Sequence, residues 1–93
     1  MICGDFNFEQ ESAEHASMVQ GGAGCNLVNS FNLLHPGVKH PSTFRLFDRT
    51  YGPEPVGCDF FFVSESLAPR VKSFEVNQLT QASDHQPVLL ELN

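Results

Sequence analysis

Basic residues are scarce in this sequence. Lys and Arg together number 5 against 11 Asp and Glu, which gives a formal net charge of −6 over 93 residues. Proteins that hold phosphate backbones by counterion release need a positive binding face. A strongly basic face is therefore excluded. A site in which acidic side chains hold a divalent cation stays open, because the ion then supplies the positive charge that a phosphate needs.

Cysteine is also rare. Cys3, Cys25 and Cys58 lie far apart, are odd in number and form no Cys-x-x-Cys pair, so neither a zinc knuckle nor a disulfide scaffold is indicated. We therefore expect a reducing, cytoplasmic environment. No basic segment with an apolar run follows Met1, and no apolar stretch approaches membrane-spanning length. The sequence thus predicts neither a secretion signal nor a membrane partner.

Apolar side chains, by contrast, are plentiful. Hydrophobic residues make up 41% of the chain, which includes nine Phe, whereas charged residues make up only 17%. This composition is typical of a globular chain rather than a disordered one. The length favours one domain with one small core, over residues 1–93.

Hydrophobic periodicity predicts two helices. The first spans Gln10 to Gln20 and stops at the pair Gly21-Gly22. The second ends before Pro36, because the residue that precedes a proline disfavours helical geometry. It is predicted from apolar residues at helical spacing, namely Leu27, Val28, Phe31 and Leu34.

β-Branched and aromatic residues predict three strands in the second half of the chain. These strands are Cys58 to Val63, Val71 to Val76 and Val88 to Leu92. The apolar residues before Asp5 read as the end of another strand, which we expect in the middle of a sheet. Residues 36–57 are rich in Pro, Gly and charge and predict a long irregular segment, within which Ser42 to Phe47 is a candidate strand.

The segment Gly4-Asp5-Phe6-Asn7 places a carboxylate and an amide two residues apart. If the strand continues, Asp5 and Asn7 project from the same side at its C-terminal end, which is where α/β enzymes usually build their sites. The same residues are also typical of a turn that closes a hairpin. The tetrapeptide alone leaves both interpretations open.

Asp59 lies inside an apolar strand, on the same face as Phe61 and Val63. An unpaired carboxylate at such a position costs several kcal/mol, so we expect a partner. A histidine is the usual companion in catalytic sites, because the acid fixes the tautomer of the ring and stabilises its cationic form. A structural acid that accepts backbone N–H groups at the start of a strand is the alternative.

The segment Ser83-Asp84-His85-Gln86-Pro87 precedes the last strand, and its adjacent acid and imidazole can point into one site. Surface loops often carry such pairs, so this feature is weak when taken alone. We expect the other histidines in solvent, His15 on the polar side of the first helix and His35 and His40 in the following loop. Their spacing matches no metal-binding motif.

Taken in order, these motifs resemble the endonuclease/exonuclease/phosphatase family. They are Gly4-Asp5-Phe6-Asn7, Thr43-Phe44, Cys58-Asp59-Phe60-Phe61-Phe62-Val63-Ser64 and Ser83-Asp84-His85-Gln86-Pro87-Val88. The resemblance covers the whole chain and implies an α/β fold, the C-terminal part of a four-layer α/β sandwich with mainly antiparallel strands and flanking helices. The implied activity is metal-dependent, nuclease-like hydrolysis of phosphodiesters by an activated water.

The resemblance also implies a role for individual residues. Asp5 matches the aspartate that orients or deprotonates the attacking water, and Asn7 matches the asparagine that hydrogen-bonds the scissile phosphate. His85 matches the histidine that contacts a phosphoryl oxygen, and Asp59 matches the acid that hydrogen-bonds this histidine. Thr43 matches a position near the substrate.

Asp84 matches an aspartate of the metal site, which implies Mg²⁺ or Mn²⁺ as the cofactor. The family's N-terminal portion contributes an Asn and a Glu to this metal, and it has no counterpart here. Glu9, Glu11 and Glu14 do not replace that Glu, because they fit the start of a helix. The resemblance thus implies that the chain alone is inactive or nearly so, and that a missing N-terminal portion completes it.

The implied substrate is a phosphate ester, with nucleic acid among the candidates. The stretch Pro55 to Phe60 lacks the Pro-Ala-Trp-Cys-Asp-Arg signature of inositol phosphatases, which disfavours inositol substrates. Two functions of another class stay open. One is a non-catalytic α/β module that binds a phosphorylated ligand, and the other is self-association through the strand edge at Met1 to Asp5.

Overall fold

The computed structural model describes residues 1–20, 26–47 and 54–93. Strand β3 (Asp59–Ser64) is the middle strand of a three-stranded antiparallel sheet, between β1 (Ile2–Asp5) and β2 (Leu27–Asn29). A second antiparallel sheet pairs β4 (Val71–Val76) with β5 (Val88–Leu92). The three strands predicted in the second half of the chain are thereby confirmed to within one residue.

Two short helices, α1 (Ala13–Val19) and α2 (Ser30–Leu34), accompany the strands, and a short 3-10 helix, Ala68–Arg70, leads into β4. The described residues thus form a small α+β domain with antiparallel sheets and few helices. None of its described helices has the length and apolar character needed to cross a membrane.

The core is built on β3. Phe60, Phe62 and Val63 are at most 1% exposed, and burial of each such side chain contributes about 1.5–3 kcal/mol. Phe31 of α2 and Phe74 of β4 are also buried, and their ring centroids lie 5.5 Å apart in a T-shaped arrangement. The aromatic residues therefore join the helix to both sheets.

Helix α1 begins later than the predicted Gln10. The side chain of Ser12 accepts a hydrogen bond of 3.1 Å from the backbone N–H of His15, which satisfies a free N–H group of the first turn and fixes the start at Ala13. The predicted stop at Gly21-Gly22 lies outside the described residues.

The second helix is also shorter than predicted. Leu27 and Val28 belong to β2 rather than to the helix, and Val28 pairs with Val63 of β3. Asn29 explains the boundary, because its side-chain oxygen accepts hydrogen bonds from two N–H groups in the first turn of α2. Helix α2 does end before Pro36, as predicted.

One prediction about strands was wrong. Residues 42–47 form no strand, and Phe44 makes only isolated bridges, to Val56 and His85. Strand β1 was expected to be a central strand that lacks its neighbours. Within the described sheet it pairs with β3 alone, and all four of its residues are exposed, so a central place in a larger sheet stays a prediction.

The histidines gave a mixed outcome. His35 is exposed, as predicted. His15 and His40 are buried, at 7% and 4% exposure, which contradicts the expectation of solvated rings. Their imidazoles serve as aromatic core residues: the ring of His40 lies 4.7 Å from that of Phe60, and the ring of His15 lies 5.4 Å from it.

Candidate functional site

The pairing of β1 with β3 brings two acids together. Asp5 is the last residue of β1 and Asp59 is the first residue of β3, and they are direct partners in the antiparallel register. Directly opposed residues in a sheet lie close together on the same face. Two carboxylates 54 positions apart in sequence therefore end at one edge of the sheet.

His85 lies between these two acids. Its Nδ1 is 3.0 Å from Oδ2 of Asp59, and its Nε2 is 3.5 Å from Oδ2 of Asp5. The partner predicted for the carboxylate of Asp59 is thus present. The 3.0 Å distance is that of a normal hydrogen bond, whereas 3.5 Å is long for a direct one.

The electrostatic environment favours the charged form of this imidazole. Partial burial alone would lower the pKa of His85, but the hydrogen bond to Asp59 and the negative charges of Asp59, Asp5 and Asp84 outweigh it, so the pKa is raised above 6.5. Opposite charges within a few ångströms stabilise the protonated ring in this way. The flanking carboxylates therefore favour the protonated form of His85.

Thr43 holds Asp59 in place. Its hydroxyl donates a hydrogen bond of 2.6 Å to Oδ2 of Asp59 and accepts hydrogen bonds from the backbone N–H groups of Cys58 and Asp59, at 3.1 and 3.3 Å. The side chain is fully buried. The resemblance placed Thr43 near the substrate, but in the structure it lies behind the acid and acts as a positioning residue.

Asp5 and Asn7 are joined by a turn rather than by a continuing strand. Strand β1 ends at Asp5, and Oδ1 of Asp5 accepts a hydrogen bond of 2.8 Å from the backbone N–H of Asn7. Asn7 has a φ of 57°, a left-handed conformation that asparagine tolerates better than most residues. The structure therefore has a turn here, but the turn closes no hairpin, because β1 pairs with β3 and is followed by α1. Oδ2 of Asp5 is directed at His85.

The loop that carries Asp84 and His85 is anchored from both sides of these residues. The backbone N–H of Arg45 donates to the carbonyl of Asp84 at 2.8 Å, and the N–H of Gln86 donates to the carbonyl of Thr43 at 2.7 Å. The side chain of Asp84 itself is exposed, with one long hydrogen bond of 3.4 Å from the hydroxyl of Ser83. Its carboxylate is thus open to a ligand.

Sequence reasoning missed two residues of this site. Gln86 is buried, and its amide group donates to the carbonyls of Asn77 and Thr80, at 2.7 and 2.9 Å, which fixes the loop leading to His85. The ring of Phe44 lies 4.6 Å from that of His85, at an interplanar angle of 32°. The signal for Gln86 was its place inside the Ser83 to Pro87 motif, and that for Phe44 was its place after Thr43.

A groove of about 460 Å³ is lined by Phe44 and Cys58, which contact His85 and Asp59, but not by His85 or Asp59 themselves. Its lining includes the aromatic rings of Phe8 and Phe44 and the predicted phosphate ligand Asn7. The remaining lining residues are Glu9, Glu11, Ser12, Glu14, Arg45, Val56 and Cys58. The three glutamates that the sequence assigned to a helix start thus form an acidic wall beside the site.

Within the parts of the chain that the structure describes, one group of three metal-ligating side chains comes together: Cys58, Asp59 and His85. Asp84, the predicted metal ligand, does not belong to it. Burial, together with the negative charges of Asp59 and Asp5, raises the pKa of the Cys58 thiol to about 12. Cys58 is therefore a thiol at neutral pH and not an activated nucleophile.

Comparison with protein-family models, with curated proteins and with solved structures found no match to this chain.

Proposed function

We propose that this chain carries the catalytic residues of a metal-dependent phosphoesterase that cleaves phosphodiesters with an activated water, as a nuclease does. The observation that carries the proposal is the placement of His85 between Asp59 at 3.0 Å and Asp5 at 3.5 Å. One imidazole nitrogen is held by a partly buried acid, and the other faces a second carboxylate. Orientation of a ring by an acid on its far side is a common arrangement in catalytic sites.

In the proposed reaction, Asp5 orients the attacking water and accepts its proton. The backbone N–H of Asn7 occupies Oδ1 of Asp5, so Oδ2 is the oxygen left to serve as the base. The protonated ring of His85 donates a hydrogen bond from Nε2 to a phosphoryl oxygen, where charge develops as the water oxygen bonds to phosphorus. The P–O ester bond breaks, and the ester oxygen leaves with the bonding electrons and takes a proton from solvent. Asn7 adds a hydrogen bond to the phosphate, and Asp59 keeps the ring charged and oriented.

The metal requirement fits the donor chemistry in part. Mg²⁺ usually binds one or two carboxylates, with water and substrate phosphate completing its shell, and the exposed carboxylate of Asp84 suits that role. Bound there, Mg²⁺ or Mn²⁺ would supply positive charge to the phosphate. Because Asp84 joins no group of three donors among the described residues, we propose that a further acidic ligand lies outside them and that this chain alone turns over slowly.

We also propose a larger fold and a cellular environment for this chain. The two antiparallel sheets and the order of the motifs support one part of a four-layer α/β sandwich, in which the exposed strand β1 would receive the remaining part. The free thiols of Cys3 and Cys58 support the expectation of a reducing, cytoplasmic environment.

The residues that line the groove indicate which class of substrate it can accept. Phe8 and Phe44 offer apolar faces of the kind on which nucleobases stack, whereas Glu9, Glu11 and Glu14 repel a long polyanion. The groove therefore suits a single phosphodiester with an apolar or aromatic substituent better than a duplex that is gripped along its backbone.

Hydrolysis of bis(p-nitrophenyl) phosphate tests the proposal. We expect slow release of p-nitrophenol that requires Mg²⁺ or Mn²⁺, with His85→Gln and Asp5→Asn each lowering kcat/KM by about 10²–10⁴-fold, the usual contribution of a general acid or base. His35→Gln is the matched control, because His35 is exposed and lies outside the site; it should leave the rate unchanged.

Two results would count against catalysis. Metal-dependent hydrolysis that neither His85→Gln nor Asp5→Asn affects would show that other groups do the chemistry. Calorimetric binding of inorganic phosphate in the presence of Mn²⁺, with no hydrolysis even after the missing N-terminal portion is supplied, would instead support the non-catalytic binding module. Size-exclusion chromatography checks self-association through β1, whose Ile2 is 47% exposed.

A further inference from the structure

The cluster of Cys58, Asp59 and His85 combines three different donor types in a small space. Their ligand atoms all lie within 4.8 Å of one another. The thiol sulfur of Cys58 is 3.6 Å from Oδ2 of Asp59, and Nδ1 of His85 is 3.0 Å from the same oxygen. In a tetrahedral zinc site with bonds of about 2.0 Å to N or O and about 2.3 Å to S, neighbouring donors lie roughly 3.3–3.5 Å apart.

We propose that Cys58, Asp59 and His85 form a binding site for a thiophilic divalent cation of the Zn²⁺ type. Only modest side-chain movement is needed, because the distances from Oδ2 of Asp59 to Nδ1 of His85, 3.0 Å, and to the sulfur of Cys58, 3.6 Å, lie on either side of the spacing that a tetrahedral site requires. Thiolate and imidazole ligands select Zn²⁺ over Mg²⁺, which prefers oxygen ligands. This site is therefore distinct in chemistry from the proposed Mg²⁺ ligand Asp84, and it does not depend on the proposed hydrolysis.

The surroundings support a formed site. The hydroxyl of Thr43 hydrogen-bonds both the Asp59 carboxylate and the backbone N–H of Cys58, so one residue orients two of the three ligands, as outer-shell hydrogen bonds do in metal sites. The groove beside the cluster reaches Cys58, and the side chain of His85 is 32% exposed. A cation thus has a path in from solvent and an open fourth position, and its charge displaces the thiol proton.

Occupancy has a consequence for His85. The cation takes Nδ1 of the ring and the carboxylate of Asp59, the two groups that otherwise hydrogen-bond each other. The ion and that hydrogen bond therefore exclude one another. Zn²⁺ at this site is an inhibitor of any reaction that uses the oriented imidazolium.

The test uses Co²⁺ and Zn²⁺ alone, with the full chain, in a background in which Cys25 is replaced by serine. Titration with Co²⁺ should give a thiolate-to-cobalt charge-transfer absorption at one ion per chain, and Zn²⁺ should displace it. Cys58→Ser should abolish this absorption and weaken Zn²⁺ binding at least about tenfold. Cys3→Ser is the matched control, since Cys3 is an exposed thiol on β1, and it should change neither.

A second variant keeps the test valid if Cys58→Ser fails to fold. His85→Gln changes a partly exposed side chain and should also weaken Zn²⁺ binding at least about tenfold while the far-ultraviolet circular dichroism stays that of the parent. An unchanged absorption and Zn²⁺ affinity in Cys58→Ser would overturn the proposal, as would loss of both in Cys3→Ser. Because both readouts are of binding, they are independent of whether the chain hydrolyses any ester.

Discussion

Thr43 donates a hydrogen bond of 2.6 Å to Oδ2 of Asp59, the same oxygen that binds the ring of His85. The hydroxyl reaches across 16 residues of sequence and is fully buried. Orientation of the imidazole by Asp59 therefore depends on a residue that is itself hidden from solvent.

Thr43→Val tests this dependence, because valine keeps the shape of the side chain and removes the hydroxyl. It leaves the N–H groups of Cys58 and Asp59 without their acceptor, so we expect a loss of about 1–3 kcal/mol in the free energy of unfolding, as for a buried unsatisfied group. Urea denaturation measures it. Thr43→Ser is the control that restores the hydroxyl and should recover most of the loss; equal stability of all three proteins would refute the role.

A second prediction concerns the protonation of His85. In Asp59→Asn the negative charge beside Nδ1 is lost, so the pKa of the ring should fall from its raised value. Nuclear magnetic resonance titration of the imidazole carbon-bound protons measures this shift directly. Glu91→Gln is the control, because Glu91 pairs with Lys72 on the other sheet and should not move the pKa of His85.

The raised pKa of His85 determines how its contribution to the free energy of unfolding changes with pH. The folded state binds the proton more tightly than the unfolded state, so the stabilisation is fully present below pH 6.5 and is lost as the pH rises through the folded pKa. The stability difference between the parent protein and His85→Gln should therefore shrink as the pH rises from below 6.5 through the raised pKa of the folded state. A difference that grows over this range would contradict the raised pKa.

Much of the fold was predictable from local pattern. The strands of the second half were predicted almost to the residue, because β-branched and aromatic runs such as Phe60 to Val63 have few alternatives. Helix starts were less predictable. They depend on Ser12 and Asn29, whose side chains cap α1 and α2, and the apolar residues at 27 and 28 fit a strand as well as a helix.

The site was predictable in its members more than in its geometry. A partner for Asp59 was predicted because an unpaired carboxylate in an apolar strand is energetically costly. His85 is that partner. The positions of Thr43 and Gln86 were not accessible to the same reasoning. Their roles come from side-chain hydrogen bonds between separate segments of the chain, 16 positions apart for Thr43 and Asp59 and 9 positions apart for Gln86 and Asn77, which no local spacing reveals.

The burial of His15 and His40 leads to a fourth prediction, that acid destabilises the fold. Burial lowers the pKa of both rings below 6.5, so the folded state binds fewer protons than the unfolded state at mildly acidic pH. Their contribution to stability is therefore full above pH 6.5 and is lost as the pH falls through the folded pKa values. This sign is opposite to that of His85.

The contacts of each imidazole explain why its protonation is unfavourable. Nε2 of His15 accepts a hydrogen bond of 2.9 Å from the amide group of Asn29, and a protonated ring has no acceptor to offer. Nδ1 of His40 pairs with the carbonyl of Pro41, whereas its Nε2 is buried and has no hydrogen-bond partner among the residues that the structure describes. A charge there would be surrounded by the rings of Phe31 and Phe60.

Urea denaturation at about pH 7.5 and about pH 5.5 measures the effect, which His40→Leu should reduce because leucine cannot titrate. Loss of the hydrogen bond to Pro41 lowers the stability of this variant at both pH values, so the quantity to compare is the change between them. His35→Gln, at an exposed position, should retain the parent's full change. If His40→Leu loses as much stability on acidification as the parent protein does, the buried imidazole of His40 is not a source of the acid sensitivity.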